Sequence, residues 1–121
     1  QKCLKKHNIV ANQIEYNLIK RKAEEKIIPF CEKNNIIVIA YRPLARGELI
    51  YKGIKILDSM SRKYNKTNAQ IALKWLISQK NVVAIVKSIN IEHLKQNIDL
   101  FGWELKQEDK NLLDKIKFIK E

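Results

Sequence analysis

Apolar residues in this chain fall in three short runs, separated by stretches where they recur at helical spacing. Ile9, Val10 and Ala11 lead into Asn12-Gln13-Ile14-Glu15-Tyr16, an apolar start with a polar exit, as at the C-terminal end of a parallel strand. Ile36 to Tyr41 is unbroken and bounded by turn residues, which predicts a strand buried on both faces. Val82 to Val86 predicts a third buried strand, and it stops abruptly at Lys87-Ser88. Between and around these runs lie the predicted helices. Gln1 to His7 has the character of the last turns of a helix. Lys22 to Asn34 is helical in composition, with Asn34-Asn35 as its stop. Pro29 either begins its final portion or kinks it.

Ile54 to Tyr64 sets Ile54, Leu57 and Met60 on one side. Thr67-Asn68-Ala69-Gln70 is a capping box that opens a helix from Asn68 to Gln79, carrying Ile71, Ala72, Trp75 and Leu76. Asn90 caps a helix over Ile91 to Leu100 whose apolar face is Ile91, Leu94 and Ile98. The last helix spans about Gln107 to Ile119, with Leu112, Leu113, Ile116 and Ile119 as its stripe. Glu108 and Asp109 favour its first turn. Arg42 to Gly53, with Pro43, Gly47 and Gly53, is a loop long enough to suggest a function.

The rhythm is strand, helix, strand, two helices, strand, two helices, which predicts parallel strands joined by helical crossovers. Three such strands leave two open edges, so the pattern is that of part of a larger sheet or barrel. Residues 1–121 are therefore expected to form a single partial domain.

Composition removes several function classes. The apolar fraction is 45% and Gly and Pro are few, which argues against disorder. No stretch has the length of a membrane span or the shape of a signal peptide. Cys3 and Cys31 make no disulfide framework and fit a reducing cytoplasm, with Cys31 as a small core residue. The formal charge of +11 would suit a nucleic-acid partner, but the cations are spread among acids. A solvated lysine-rich surface is the expected reading, with no nucleic acid and no membrane as partners. Glu15 and Asp99 have no neighbours at metal-ligand spacing, so no metal site is expected.

The candidate chemistry sits where the third strand ends. Lys87, Ser88 and the helix start at Asn90 gather a cation, a hydroxyl and free N–H groups, a combination suited to a phosphate. Taken alone, an ordinary solvated turn is the better explanation. Trp75 and Trp103 are expected to be packing residues, and His7 a helix-end residue.

Four further stretches change that balance: Asn12 to Tyr16; Ala40-Tyr41-Arg42-Pro43-Leu44-Ala45-Arg46-Gly47; Lys63-Tyr64-Asn65-Lys66-Thr67-Asn68-Ala69-Gln70-Ile71-Ala72-Leu73-Lys74-Trp75-Leu76; and Lys87-Ser88 leading to Gln96-Asn97. In this order and spacing the chain resembles the aldo-keto reductases over nearly its whole length, and Leu105 to Asp109 resembles that family's last helix. Members are TIM (β/α)8 barrels that bind NADPH in an extended form and reduce aldehydes and ketones to alcohols. The resemblance implies an α/β fold made of about the sixth to eighth strand–helix units of such a barrel, with the N-terminal half needed for closure.

The resemblance also implies roles. Gln13 would bond the nicotinamide carboxamide, and Tyr41 would stack on the nicotinamide ring. Arg42 stands where many members carry Ser; with the Leu44 backbone it would lie near the pyrophosphate. Lys87, Ser88 and Asn90 would hold the adenosine 2′-phosphate, with Gln96 and Asn97 near the adenine. His93 replaces an Arg that pairs with that phosphate in many members. A mostly neutral imidazole forgoes one charge-assisted hydrogen bond, about 1.5–3 kcal/mol, which leaves NAD(H) as an alternative to NADP(H). Lys106 stands where the last helix usually begins with Ser.

The family's catalytic Asp, Tyr, Lys and His lie upstream, so no catalytic residue is expected here, and the segment alone is expected to be inactive. The partners implied are a nicotinamide cofactor and a small carbonyl substrate. Two rival readings remain: a nucleotide-binding regulatory subunit of the channel-partner kind, and a basic nucleic-acid-binding module.

Overall fold

The computed structural model describes residues 2–3, 5–51 and 53–116. Its centre is a parallel sheet in the order β1-β2-β3, formed by Ala11–Glu15, Ile37–Tyr41 and Val82–Ala84. Five α-helices follow the strands: α1 (Ile27–Lys33), α2 (Lys55–Tyr64), α3 (Asn68–Ile77), α4 (Ile91–Ile98) and α5 (Gln107–Asp114). The order of elements is the one the hydrophobic pattern predicts, and among the described residues β1 and β3 each pair on one side only.

Burial of the strands differs from expectation. In β2 only Val38 and Ala40 are buried, while Ile37 is half exposed. In register with them, Val82 is buried, whereas Val83 and Ile85 are half exposed. The helices cover one face of the sheet, and among the described residues no helix lies on the other. An unbroken apolar run reports two faces suited to burial, and only one finds a partner here. The same reason leaves the apolar stripe of α4 uncovered: Ile91, Leu94 and Ile98 are all exposed, and no residue of that helix is buried.

Helix boundaries also move. The stretch expected as one helix from Lys22 to Asn34 is a single turn of 3-10 helix at Lys22–Glu25 and then α1, broken at Lys26 (φ −141°). Pro29 causes no break, because it lies in the first turn of α1, where no intrahelical N–H bond is lost. α3 and α4 stop at Ile77 and Ile98, and α5 at Asp114; Ile119 lies outside the described residues. Among the described residues near the N-terminus there is no helix, and Cys3 O accepts from the Lys6 and His7 N–H groups.

The core sits between the sheet and α1, α2, α3 and α5. α3 is its axis: Asn68 and every residue from Gln70 to Leu76 are buried. Trp75 is fully buried, its ring centroid 5.9 Å from that of Tyr16, and its Nε1 donates to Asp114 Oδ1 at 2.7 Å. Two buried ionic groups are fully engaged. Lys74 Nζ donates to Leu100 O and Glu104 Oε1, each at 2.9 Å. Asp109 accepts from Lys63 Nζ at 2.7 Å and from the Tyr64 hydroxyl, fastening the start of α5 to the end of α2. Cys31 is buried in α1 and Cys3 exposed, both as free thiols. No described helix is long and apolar enough to cross a membrane.

Candidate functional site

The polar exits of the strands come together at one end of the sheet. β1 and β2 pair in register, so Gln13, Glu15, Ile39 and Tyr41 share a face, the one the helices leave uncovered. Beyond Tyr41 the backbone turns sharply: Arg42, Ala45 and Arg46 have φ of 52°, 49° and 57°, ahead of Gly47 at 102°. A side chain in this left-handed region costs about 1 kcal/mol or more, so the loop needs outside support. Asn17, fully buried, supplies it. Its Nδ2 donates to Arg42 O at 2.9 Å while its Oδ1 accepts from the N–H groups of Ile19 (3.1 Å) and Lys20 (2.9 Å). The Arg42 guanidinium lies 5.7 Å from the Tyr41 ring centroid and 3.6 Å from Glu15 Oε2.

The exit of β3 is ordered by its own side chains. Ser88 Oγ accepts from Asn90 N at 3.0 Å, and Asn90 Oδ1 accepts from His93 N at 3.2 Å, so Asn90 caps α4 as the sequence predicts. Such a cap contributes about 1 kcal/mol.

Between these two exits lies a cavity of about 620 Å³. Leu44 and Ile50 line it from the loop after β2, and Asp58, Ser61 and Arg62 from α2. Thr67, Asn68 and Ala69 come from the start of α3, Lys87 and Ser88 from the β3 exit, and His93, Gln96 and Asn97 from α4. The cavity thus unites Leu44, Lys87, Ser88, His93, Gln96 and Asn97. Asn90 does not line it but sets the start of the helix that does. Gln13, Tyr41 and Arg42 stand apart, at the sheet end, joined to the cavity by the Pro43–Leu44 step.

The wall contributed by α2 and α3 escaped the sequence reading. Arg62 belongs to a charged helix that has every mark of a solvated face. It reaches the cavity because Asn65 closes α2 in the left-handed conformation (φ 51°) and turns the chain so that the last turn of α2 meets the first turn of α3. The asparagine between a helix and a capping box was the available signal.

Arg62 and Lys87 make the wall cationic. Its acid, Asp58, is occupied: Oδ1 accepts from Asn68 Nδ2 and Oδ2 from Gly53 N, both at 2.8 Å. Two cations and the amides of Gln96 and Asn97 are a donor set for an anionic, hydrogen-bonding ligand, while the hydroxyls of Ser61, Thr67 and Ser88 already donate to Lys66 O, Gln70 Oε1 and Asn90 O. Behind the wall, Asp99 is held below the usual carboxylate range, first by the Lys66 ammonium at 2.6 Å and then by Gln70. Tyr16, by contrast, is pushed far up by burial and by Glu24, which accepts its hydroxyl at 2.7 Å, so it remains a neutral packing residue. Among the described residues no three His, Cys, Asp or Glu side chains gather as metal ligands.

The family model described as the aldo/keto reductase family matches residues 1–117. The chain belongs to that family. This aldo-keto reductase chain is 33% identical to the methylglyoxal reductase YeaE of Escherichia coli over 86% of its own length and 38% of that protein's. It is also 33% identical to the glyoxal reductase of Bacillus subtilis, over 87% and 36% of the two lengths. Among solved structures, a thermostable aldo-keto reductase in complex with the inhibitor epalrestat superposes with a TM-score of 0.83 at 36% identity, covering 90% of this chain and 40% of that one. An aldo/keto reductase from Klebsiella pneumoniae in complex with NADP and acetate gives 0.79 at 32% identity, over 87% and 38%. The chain therefore spans well under half the length of its relatives, and its open three-stranded sheet is part of a TIM barrel.

Proposed function

We propose that this chain is the C-terminal, cofactor-holding part, about units six to eight, of a cytoplasmic NADP(H)-dependent aldo-keto reductase that reduces small aldehydes or ketones to alcohols. The observation that carries the reading is the cavity in which Lys87, Ser88, His93, Gln96 and Asn97 meet Arg62 and Leu44. NADP-complexed relatives at this level of similarity support the choice of cofactor.

The residues present suit that molecule. Lys87, Ser88 and the capped start of α4 would take the 2′-phosphate, with Arg62 as a second cation on the opposite wall, doing part of the work that a charged residue at His93 would do. Gln96 and Asn97 offer amides, and Ala69 and Leu44 apolar surface, for an adenine. Pro43 and Leu44 lead from there towards Arg42, Tyr41 and Gln13 at the sheet end, a path suited to an extended dinucleotide. When bound, NADPH supplies the hydride. Tyr41 then offers a ring face and Gln13 an amide that together orient the nicotinamide. The proton donor belongs to the part of the barrel upstream of this segment.

The test is a calorimetric titration of NADPH into the full-length protein, followed by assay with methylglyoxal as a small carbonyl probe. Micromolar or tighter binding with carbonyl-dependent oxidation of NADPH is expected. No binding would overturn the reading, whereas binding without turnover would favour the regulatory-subunit alternative.

A further inference from the structure

α4 carries three residues of the cavity wall, yet none of its apolar side chains is buried. Its aliphatic side chains Ile91, Leu94 and Ile98 are 71%, 39% and 70% exposed. The attachment is polar and is concentrated at the C-terminal end of the helix, on one buried side chain of α3. Gln70, 3% exposed, directs its Nε2 to Gln96 O (3.2 Å), Asp99 O (3.1 Å) and Asp99 Oδ2 (3.0 Å). On its other side, Oε1 accepts from Thr67 N at 2.9 Å, completing the capping box of α3. This fixes the orientation of the amide. Flipped, its oxygen would face two carbonyls and a carboxylate, and its NH2 would face the Thr67 N–H. Lys66 Nζ to Asp99 Oδ2 at 2.6 Å and Trp103 Nε1 to Asp99 O at 3.0 Å reinforce the same corner.

We propose that Gln70 is a positioning residue: its amide sets the distance of α4 from α3, and with it the width of the cavity between Ala69 and Gln96-Asn97. Its consequence for the cofactor rests on the function proposed above. The geometry gives the role a signature. The N-terminal end of α4 is capped locally by Asn90 and is joined through residues 86–89 to the end of β3, where Ile85 N donates to Ala40 O, independently of Gln70. Releasing the C-terminal end therefore displaces Gln96 and Asn97 while leaving Lys87 and Ser88 in place. Those two amides face the part of the ligand that NADPH and NADH have in common, whereas Lys87 and Arg62 bear on the phosphate that only NADPH carries. Loss of the Gln70 clamp should weaken both cofactors alike.

The experiment uses the full-length protein with Gln70→Glu. This variant keeps an oxygen for Thr67 N, so α3 stays capped, but removes both donors and adds a negative charge beside Asp99. Expected are about tenfold weaker binding of both NADPH and NADH with their ratio unchanged, and faster hydrogen exchange at residues 94–99 with α3 unaffected. Wild-type affinity for both cofactors, or a loss confined to NADPH, would overturn the proposal. Should the parent protein bind neither nucleotide, the functional reading fails by itself. Hydrogen exchange then decides the positioning role, and unchanged exchange in α4 would sink it. Gln70→Met removes the same donors without adding charge, together with the acceptor for Thr67 N, and carries the same expectations for both cofactors and for exchange at residues 94–99 if the first variant does not fold. If neither folds, Gln70 is a folding residue and the positioning role is wrong.

Discussion

The side-chain amide of Asn17 donates to the carbonyl oxygen of Arg42 at 2.9 Å, across 25 residues of sequence. This bond links the exit of β1 to the exit of β2, and Arg42 keeps a left-handed backbone beneath it. Asn17→Ala removes one donor and one acceptor from a fully buried position, stranding the N–H groups of Ile19 and Lys20 and leaving Arg42 O with the Ala45 N–H alone. Unmet buried groups cost about 1–3 kcal/mol. Urea unfolding of the full-length protein should show a loss of that size, with weaker NADPH binding because Arg42 to Leu44 are no longer held. Unchanged stability would show that water satisfies these groups and that the loop keeps its shape without Asn17.

Charge at the cavity makes a separable prediction. His93 lines the same wall as Lys87 and Arg62, at a position where an arginine would add a permanent cation. His93→Arg should tighten NADPH binding about tenfold, the worth of one charge-assisted hydrogen bond, and leave NADH unchanged. Lys87→Met and Arg62→Met should each do the reverse. All three effects should shrink as salt rises, because the residues are exposed. Equal changes for NADPH and NADH would place the phosphate elsewhere.

How far the sequence disclosed this arrangement depends on the range of the interactions involved. The capping box of Thr67 and Gln70 was legible because both its bonds close within three residues. So was the cap at Asn90, and so was the order of strands and crossovers, which follows from apolar runs alone. Burial was over-read. Ile37, Val83 and the stripe of α4 have the residue types that interiors select, but the surface to cover them is absent from these residues. Arg62, Asn17 and the outward reach of Gln70 were illegible for the opposite reason. Each acts across a turn or between elements, and a charged or amide residue on a helix or loop carries no local mark of its distant partner.

Acid should loosen the chain first at α5. Asp109 is buried, and burial by itself would raise its pKa. The ammonium of Lys63, the Tyr64 hydroxyl and the charge of Lys106 outweigh that, so its carboxyl is held below the usual range. A depressed carboxylate contributes stability that is present above the unfolded value, about 3.9, and disappears as pH falls from there through the lower folded value. Asp99 acts in the same direction but is exposed, so its share is screened. Thermal melts between pH 7 and pH 2 should therefore fall steeply below about pH 4. Asp109→Asn should lower stability at neutral pH by about 1.5–3 kcal/mol and flatten that acid limb. A variant melting curve parallel to wild type through the acid range would contradict the assignment.

The uncovered face of the sheet makes the last prediction. Ile37, Val83 and Ile85 are exposed on or beside a sheet whose outer strands, among the described residues, each lack a second neighbour. Apolar side chains and open strand edges on one surface are what sheets use to associate. The 121-residue chain produced alone should therefore run above its 14.2 kDa monomer mass in sedimentation velocity, increasingly so with concentration. Ile37→Lys with Val83→Lys should shift it towards the monomer, because lysines on that face oppose stacking without touching the buried face that carries Val38 and Ala40. In the full-length protein the same pair should be severely destabilising, since a closed barrel would bury both positions. A wild-type chain that stays monomeric and unfolds cooperatively would show that the three strands need no partner on that face.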